Sequence, residues 1–118
     1  MTLAMLALAS PPAGQPPRDA REAFQGATQV FLGRVTAVGK DKLGFASQAT
    51  VAIQRTLKGD RQGTVLVSGA GGPTHPARLF QVGEELLFYL GDDLRADSYL
   101  RRVVKGEEIK KDLKTLGL

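Results

Sequence analysis

The sequence predicts a mainly β domain in which five strands close into a small barrel, framed by a short N-terminal helix and a C-terminal amphipathic helix. Three observations predict it. Short β-prone runs separated by Gly-, Pro- and Asp-containing turns make up most of the chain. The first two runs are long, and Gly33 falls midway along the first. A glycine inside a strand marks a bulge, a sharp bend or a close backbone approach, and closing a sheet needs such bending. Finally, Ile109, Leu113 and Leu116 follow one another at i, i+4 and i+7 after Gly106, with Lys110, Lys111, Asp112 and Lys114 at the other positions, which is the pattern of an amphipathic helix.

With 118 residues, 42% hydrophobic and 24% charged, the chain has the size and composition of one ordinary globular domain. Trp is absent and only 6% of residues are aromatic, so the core must be built mostly from Val, Leu, Ile, Ala and Phe. No cysteine and a single histidine exclude a disulfide framework, a thiolate metal site, a cysteine nucleophile and a multi-histidine zinc site. The net charge of +4 is compatible with an anionic partner without demanding one.

Residues 1–17 read as a unit separate from the domain at 18–118. Met1 to Ala9 is apolar except for Thr2 and ends in Ala7-Leu8-Ala9, the small-x-small form that signal peptidase accepts, which would make Ser10 the first mature residue. Nine residues are too few to span a bilayer, which takes roughly 20, and the basic n-region of a complete signal peptide is missing. The segment is read as the tail of an export signal. Pro11 to Pro17 (PPAGQPP) follows as a proline-rich linker.

Within the domain, Asp19 with Glu22 three residues later makes an N-cap with a capping-box partner. Ala20, Ala23, Phe24 and Ala27 then share one side of a helix over about Asp19 to Gln25, ended by Gly26. Val30, Phe31, Leu32, Val35 and Val38 form the first strand, from about Thr28 to Gly39, and Lys40-Asp41-Lys42 is a turn. The second strand is expected from about Leu43 to Leu57, where Ala49, Val51 and Ile53 alternate with Thr50, Ala52 and Gln54. Thr64 to Ser68 is a third strand and Gly69 to Ala77 a loop. Glu84 to Leu90 is a fourth strand, apolar enough for burial on both faces. Asp92-Asp93 is a turn, and Ser98 to Val104 is a fifth strand. The barrel is expected to enclose Val30, Leu32, Val51, Ile53, Val65, Val67, Leu86 and Phe88.

Four of these segments, Val30 to Val35 (VFLGRV), Val51 to Gly59 (VAIQRTLKG), Thr64 to Val67 (TVLV) and Phe80 to Phe88 (FQVGEELLF), resemble in order and spacing the pattern of the netrin-module superfamily. Those are the OB-fold domains shared with tissue inhibitors of metalloproteinases and their exported bacterial relatives. The resemblance spans about Phe24 to Val104, and its most specific part is the Phe80-x-Val82-Gly83-Glu84 turn leading into an apolar strand. It implies an OB-like barrel, export and a role in binding. The inhibitor members chelate the target protease's zinc through an N-terminal cysteine, and their barrels carry disulfides. This chain has no cysteine, so protease inhibition by that route is not implied.

The candidate chemistry is sparse. His75, in Pro73-Thr74-His75-Pro76, lacks the partner and nucleophile that a catalytic base needs, and an exposed loop histidine is the simpler reading. Gly69, Gly71 and Gly72 resemble a phosphate-binding loop in glycine content alone, because Pro73 and Pro76 follow where a helix N-terminus should stand. Glu84 and Glu85 would point to opposite faces of a strand. Asp92-Asp93 lacks the alternating ligands of a Ca²⁺ loop, and Glu107-Glu108 suits the dipole at a helix start. No catalytic constellation and no cofactor or metal site follows.

The expected function is therefore an exported, non-enzymatic binding module for a protein or other envelope ligand, with Arg34, Phe45, Arg55, His75 and Arg78 as the candidate ligand surface. The alternative is a cytoplasmic OB domain that binds single-stranded nucleic acid. That mode needs a basic groove with aromatic platforms on the second and third strands. Here Phe45 is the one aromatic offered, and the basic residues are scattered, so nucleic acid is the less favoured partner.

Overall fold

The computed structural model describes residues 19–40, 44, 46–69, 79–96 and 102–118. Residues 1–17 lie outside them. The first element is helix α1, Ala20–Gly26. Asp19 caps it as expected, its carboxylate accepting a hydrogen bond from the Glu22 amide at 3.0 Å. The helix takes in Gly26 as its last residue, and Ala27 is the C-cap.

Five strands follow: β1 (Gln29–Gly39), β2 (Gln48–Lys58), β3 (Thr64–Ser68), β4 (Glu85–Leu90) and β5 (Arg102–Lys105). Helix α2, Glu107–Thr115, ends the chain. The strands form one antiparallel sheet in the order β3-β2-β1-β4-β5. Three strands joined in sequence, with the fourth returning beside the first, make a Greek key, and β5 extends it past β4. The second strand starts later than the sequence suggests. Gly44 takes a left-handed φ of 88°, and Ala46 and Ser47 direct their carbonyls to the amides of Phe80 and Gly69 instead of to a strand.

The closed barrel expected from the sequence is corrected: no ladder of hydrogen bonds joins the edge strands β3 and β5. β3 touches the far side of the sheet through one parallel bridge, Ser68 to Arg95, which precedes β5. There the Ser68 amide donates to the Leu94 carbonyl at 3.1 Å, and the Ala96 amide donates to the Ser68 carbonyl at 2.6 Å. Leu94 holds this point in a left-handed conformation, φ 53°, which is uncommon for a branched side chain. β5 has four residues and uses its ladder on β4.

The sheet buries apolar side chains on both faces. On the inner side lie Phe31, Val35, Ala49, Val51, Val67, Phe80, Leu86, Phe88 and Leu90, with Ile53, Val65 and Val103 partly buried against them. The rings of Phe31 and Phe88 are 5.1 Å apart. On the other side, α1 and α2 cover Val30, Leu87 and Tyr89 with Ala20, Ala23, Ala27 and Ile109. Val30 and Leu32 therefore belong to the helix-covered face, and the expected grouping of these two with Val51 and Ile53 is corrected. Register shifts after Val30 and after Leu32 put Leu57 and Gln54 of β2 out of the pairing and leave β1 alternating regularly against β4. The face of Val30 and Leu32 is thus set by cross-strand register, which the period of a single strand does not carry.

Gly33 lies at the second of those shifts, and its backbone runs close to β2. A Cβ there would come within 2.5 Å of Val51 Cγ1 and 2.9 Å of the Ala52 carbonyl oxygen. Close approach is thus the reason for this glycine.

Candidate functional site

Two polar clusters are engaged in holding the fold. In the first, Asp112 is the one carboxylate of α2 that turns inward, 4% exposed. It accepts hydrogen bonds from the Tyr89 hydroxyl at 2.7 Å and from Arg102 Nε and Nη2 at 2.8 and 2.9 Å. The two-pronged geometry suits a guanidinium–carboxylate pair. Burial, reinforced by the Asp112 carboxylate, pushes the Tyr89 hydroxyl well above its ordinary pKa. The hydrogen bond to Asp112 likewise raises that of Arg102. By spacing alone Asp112 is a solvent-side position of the helix; this is corrected, because its pair with Arg102 locks α2 onto β4 and β5.

The second cluster ties three turns together. Buried Gln29, at the start of β1, donates through Nε2 to Asp60 at 3.2 Å and to Asp92 at 3.0 Å, and its Oε1 accepts from the Asp60 amide at 3.2 Å. Thr28 Oγ1 donates to Asp92 at 2.7 Å, and Arg61 Nη2 donates to the Asp92 carbonyl at 3.0 Å. These donors, Gln29 first and Thr28 second, lower the Asp92 pKa. Gly59, at φ 88°, passes so close to Gln29 and the Thr28 carbonyl that any side chain would collide. The Asp92-Asp93 turn is as expected, with Asp93 accepting from the Arg95 amide at 3.3 Å.

What these clusters leave open is the outer face of the sheet beyond the helices. Register places Arg34 opposite Ala52, Ala52 opposite Thr64, and Thr50 opposite Leu66. At Thr50, Ala52, Thr64 and Leu66 this face carries no charge, and Leu66 stands on it 62% exposed. Two of the expected ligand-surface residues are here. Arg34 leans toward β4, donating to the Gly83 carbonyl at 2.7 Å and lying 3.7 Å from Glu85. Arg55, opposite Leu32, is exposed and has no partner among the described residues. Phe45, His75 and Arg78 lie outside the described residues. Leu66 was overlooked in the sequence; its signal was an apolar residue at the outward position of a short strand.

A cleft of about 130 Å³ lies on the inner side near the end of β5, lined by Leu79, Phe80, Leu86 and Val103 with Glu84 and Lys105. It is smaller than the roughly 300–1,000 Å³ usual for small-molecule sites. Among the described residues, no group of three or more His, Cys, Asp or Glu side chains is placed to hold a metal ion. No described helix is long and apolar enough to cross a membrane.

No protein-family model matches the chain, and no curated protein matches it.

Proposed function

We propose that the chain is an exported, non-enzymatic binding module of OB-like architecture that takes a protein ligand on the uncovered outer face of β1, β2 and β3. The observation that carries this is the division of the outer face: two helices cover one half, while the other half presents exposed Arg55 and Leu66. The Greek-key order with a fifth flanking strand supports the OB-like reading, since OB folds are partly open five-stranded barrels that bind through the face of strands 2 and 3. A protein ligand is favoured over a nucleic acid because the described aromatic rings lie elsewhere. Phe31, Phe80, Phe88 and Tyr89 are buried, and Phe24 sits under Lys58 Nζ at 5.0 Å. Export rests on the apolar segment ending at Ala9 and on the resemblance to netrin-type modules.

The chain has no cysteine, so single-cysteine variants can carry a photo-crosslinker at chosen places. Arg55→Cys and Leu66→Cys should yield a discrete crosslinked protein in an envelope extract, and Lys111→Cys, on the exposed side of α2, should not. The same product from all three, or none from any, overturns the reading. Export is checked by fractionating cells that express the full chain with a C-terminal tag, which should appear outside the cytoplasmic fraction.

A further inference from the structure

The free edge of β3 has a hydrogen-bonding pattern that can be read residue by residue. The Ile53 amide donates to the Gly63 carbonyl at 2.7 Å, so odd-numbered residues here face β2. With a period of two, Thr64, Leu66 and Ser68 turn their N–H and C=O groups away from the sheet. Those of Ser68 are bonded to Leu94 and Ala96. Those of Thr64 and Leu66 meet no partner among the described residues. Native edges are usually blunted by charge, proline or a bulge, yet β3 reads TVLVS, with neither charge nor proline.

We propose that this edge accepts an extended acidic segment of a partner protein as an added strand, hydrogen-bonded to Thr64 and Leu66. The proposal rests on the binding-module reading and names the partner's chemistry. A strand laid along β3 alternates its side chains between the two faces. On the inner side it meets Val65, which is only partly buried at the open margin of the core, so apolar residues belong there. On the outer side it meets Thr64 and Leu66. Unpartnered Arg55 lies three positions past Ala52, the partner of Thr64. A segment that continues past Thr64 alongside Gly63, Gln62 and Arg61 brings a side chain level with it, two strands or about 10 Å away at the usual strand spacing. Arginine and glutamate side chains together bridge that distance. The nearer outer-face positions of β2, Thr50, Ala52 and Gln54, offer no competing acid. The complementary segment alternates apolar and acidic residues.

A second copy of the chain fits this edge poorly. Antiparallel pairing of two β3 strands about Val65 would bring the Gln62 and Arg61 of one copy against the position beside Ser68, which Leu94 to Ala96 already occupies. Arg61 would also approach Arg95, a like charge. A separate peptide can bend away at that point.

The test uses the full chain and a fluorescent, end-blocked octapeptide of alternating valine and glutamate, read by anisotropy. Wild type should bind it saturably and at least about tenfold more tightly than the valine–lysine counterpart. N-methylating alternate amides of the peptide should abolish binding, because the backbone bonds are then lost. Arg55→Glu should remove the preference for the glutamate peptide without lowering Tm by more than a few degrees. Equal affinity for both peptides, indifference to N-methylation, or no binding overturns the proposal. If the peptide fails while Leu66→Cys still crosslinks a protein, the added-strand inference falls and the binding module stands. If both fail, both fall.

Discussion

Asp112 accepts three hydrogen bonds at a site 4% exposed, so its removal leaves the buried Tyr89 hydroxyl without its partner and the partly buried Arg102 with Glu108 at 3.8 Å. Leaving a buried partner unsatisfied costs about 1–3 kcal/mol, and a loss of that size is expected for Asp112→Ala in urea unfolding. Tyr89→Phe removes one bond and leaves the ion pair, so about 1–2 kcal/mol is expected. A value for Asp112→Ala near zero would mean that α2 is not held by this contact. At Asp92 the effect is one of pH. Its pKa is depressed in the folded chain by Gln29 and Thr28. That stabilisation is present above the unfolded carboxylate value, near 3.9, and is lost as pH falls through the lower folded value. Asp92→Asn should accordingly unfold with a shallower dependence on pH below about 4 than wild type, which acid titration followed by circular dichroism measures.

At the scale of elements, the density of contact between β1 and β2 makes Gly33 the sharpest test. Strand propensity favours valine over glycine, but the missing side chain is where Val51 and the Ala52 carbonyl sit. Gly33→Val is expected to cost about 1–3 kcal/mol, the range for overpacking, and an unchanged or raised Tm would show that β2 can yield. Phe88→Ala, in β4, should cost about 3–5 kcal/mol, since its ring is packed against both Phe31 and Phe80. Ile53, only partly buried, should cost less on truncation to alanine than Phe88 does. The limits of β3 were legible to the residue, because Gly63 and Gly69 bracket an uninterrupted β-prone run. The start of β2 was not, because Ala46 and Ser47 bond to loops distant in sequence.

For the whole molecule, charge and aromatic placement decide how nucleic acid should behave. The net charge of +4 gives some attraction, while the buried rings offer no stacking platform on the outer face among the described residues. Binding to a single-stranded oligonucleotide is expected to be weak and to fall with salt at about −0.7 in log–log slope per phosphate contact. Stacking would add a salt-resistant part of roughly 1–3 kcal/mol per base. Submicromolar affinity at about 150 mM salt, where charges are screened beyond roughly 8 Å, would replace the protein-ligand reading with nucleic-acid recognition.

The sequence by itself determined the features whose causes are local. Alternating apolar residues marked the strands, Asp19 and Glu22 marked a helix start, and Ile109, Leu113 and Leu116 marked a helix face, because each pattern depends on neighbours within a few positions. Only the tertiary structure decided which face each strand residue occupies, since alternation along one strand says which residues share a face and leaves the choice between the two faces to the pairing of strands. It alone showed the open margin between β3 and β5, because edge pairing is a relation between segments far apart in the chain. Asp112 belongs to the same class: on its helix it reads as solvent-facing, and its burial follows from Tyr89 and Arg102 arriving from two other strands with the donors that make a buried carboxylate tolerable.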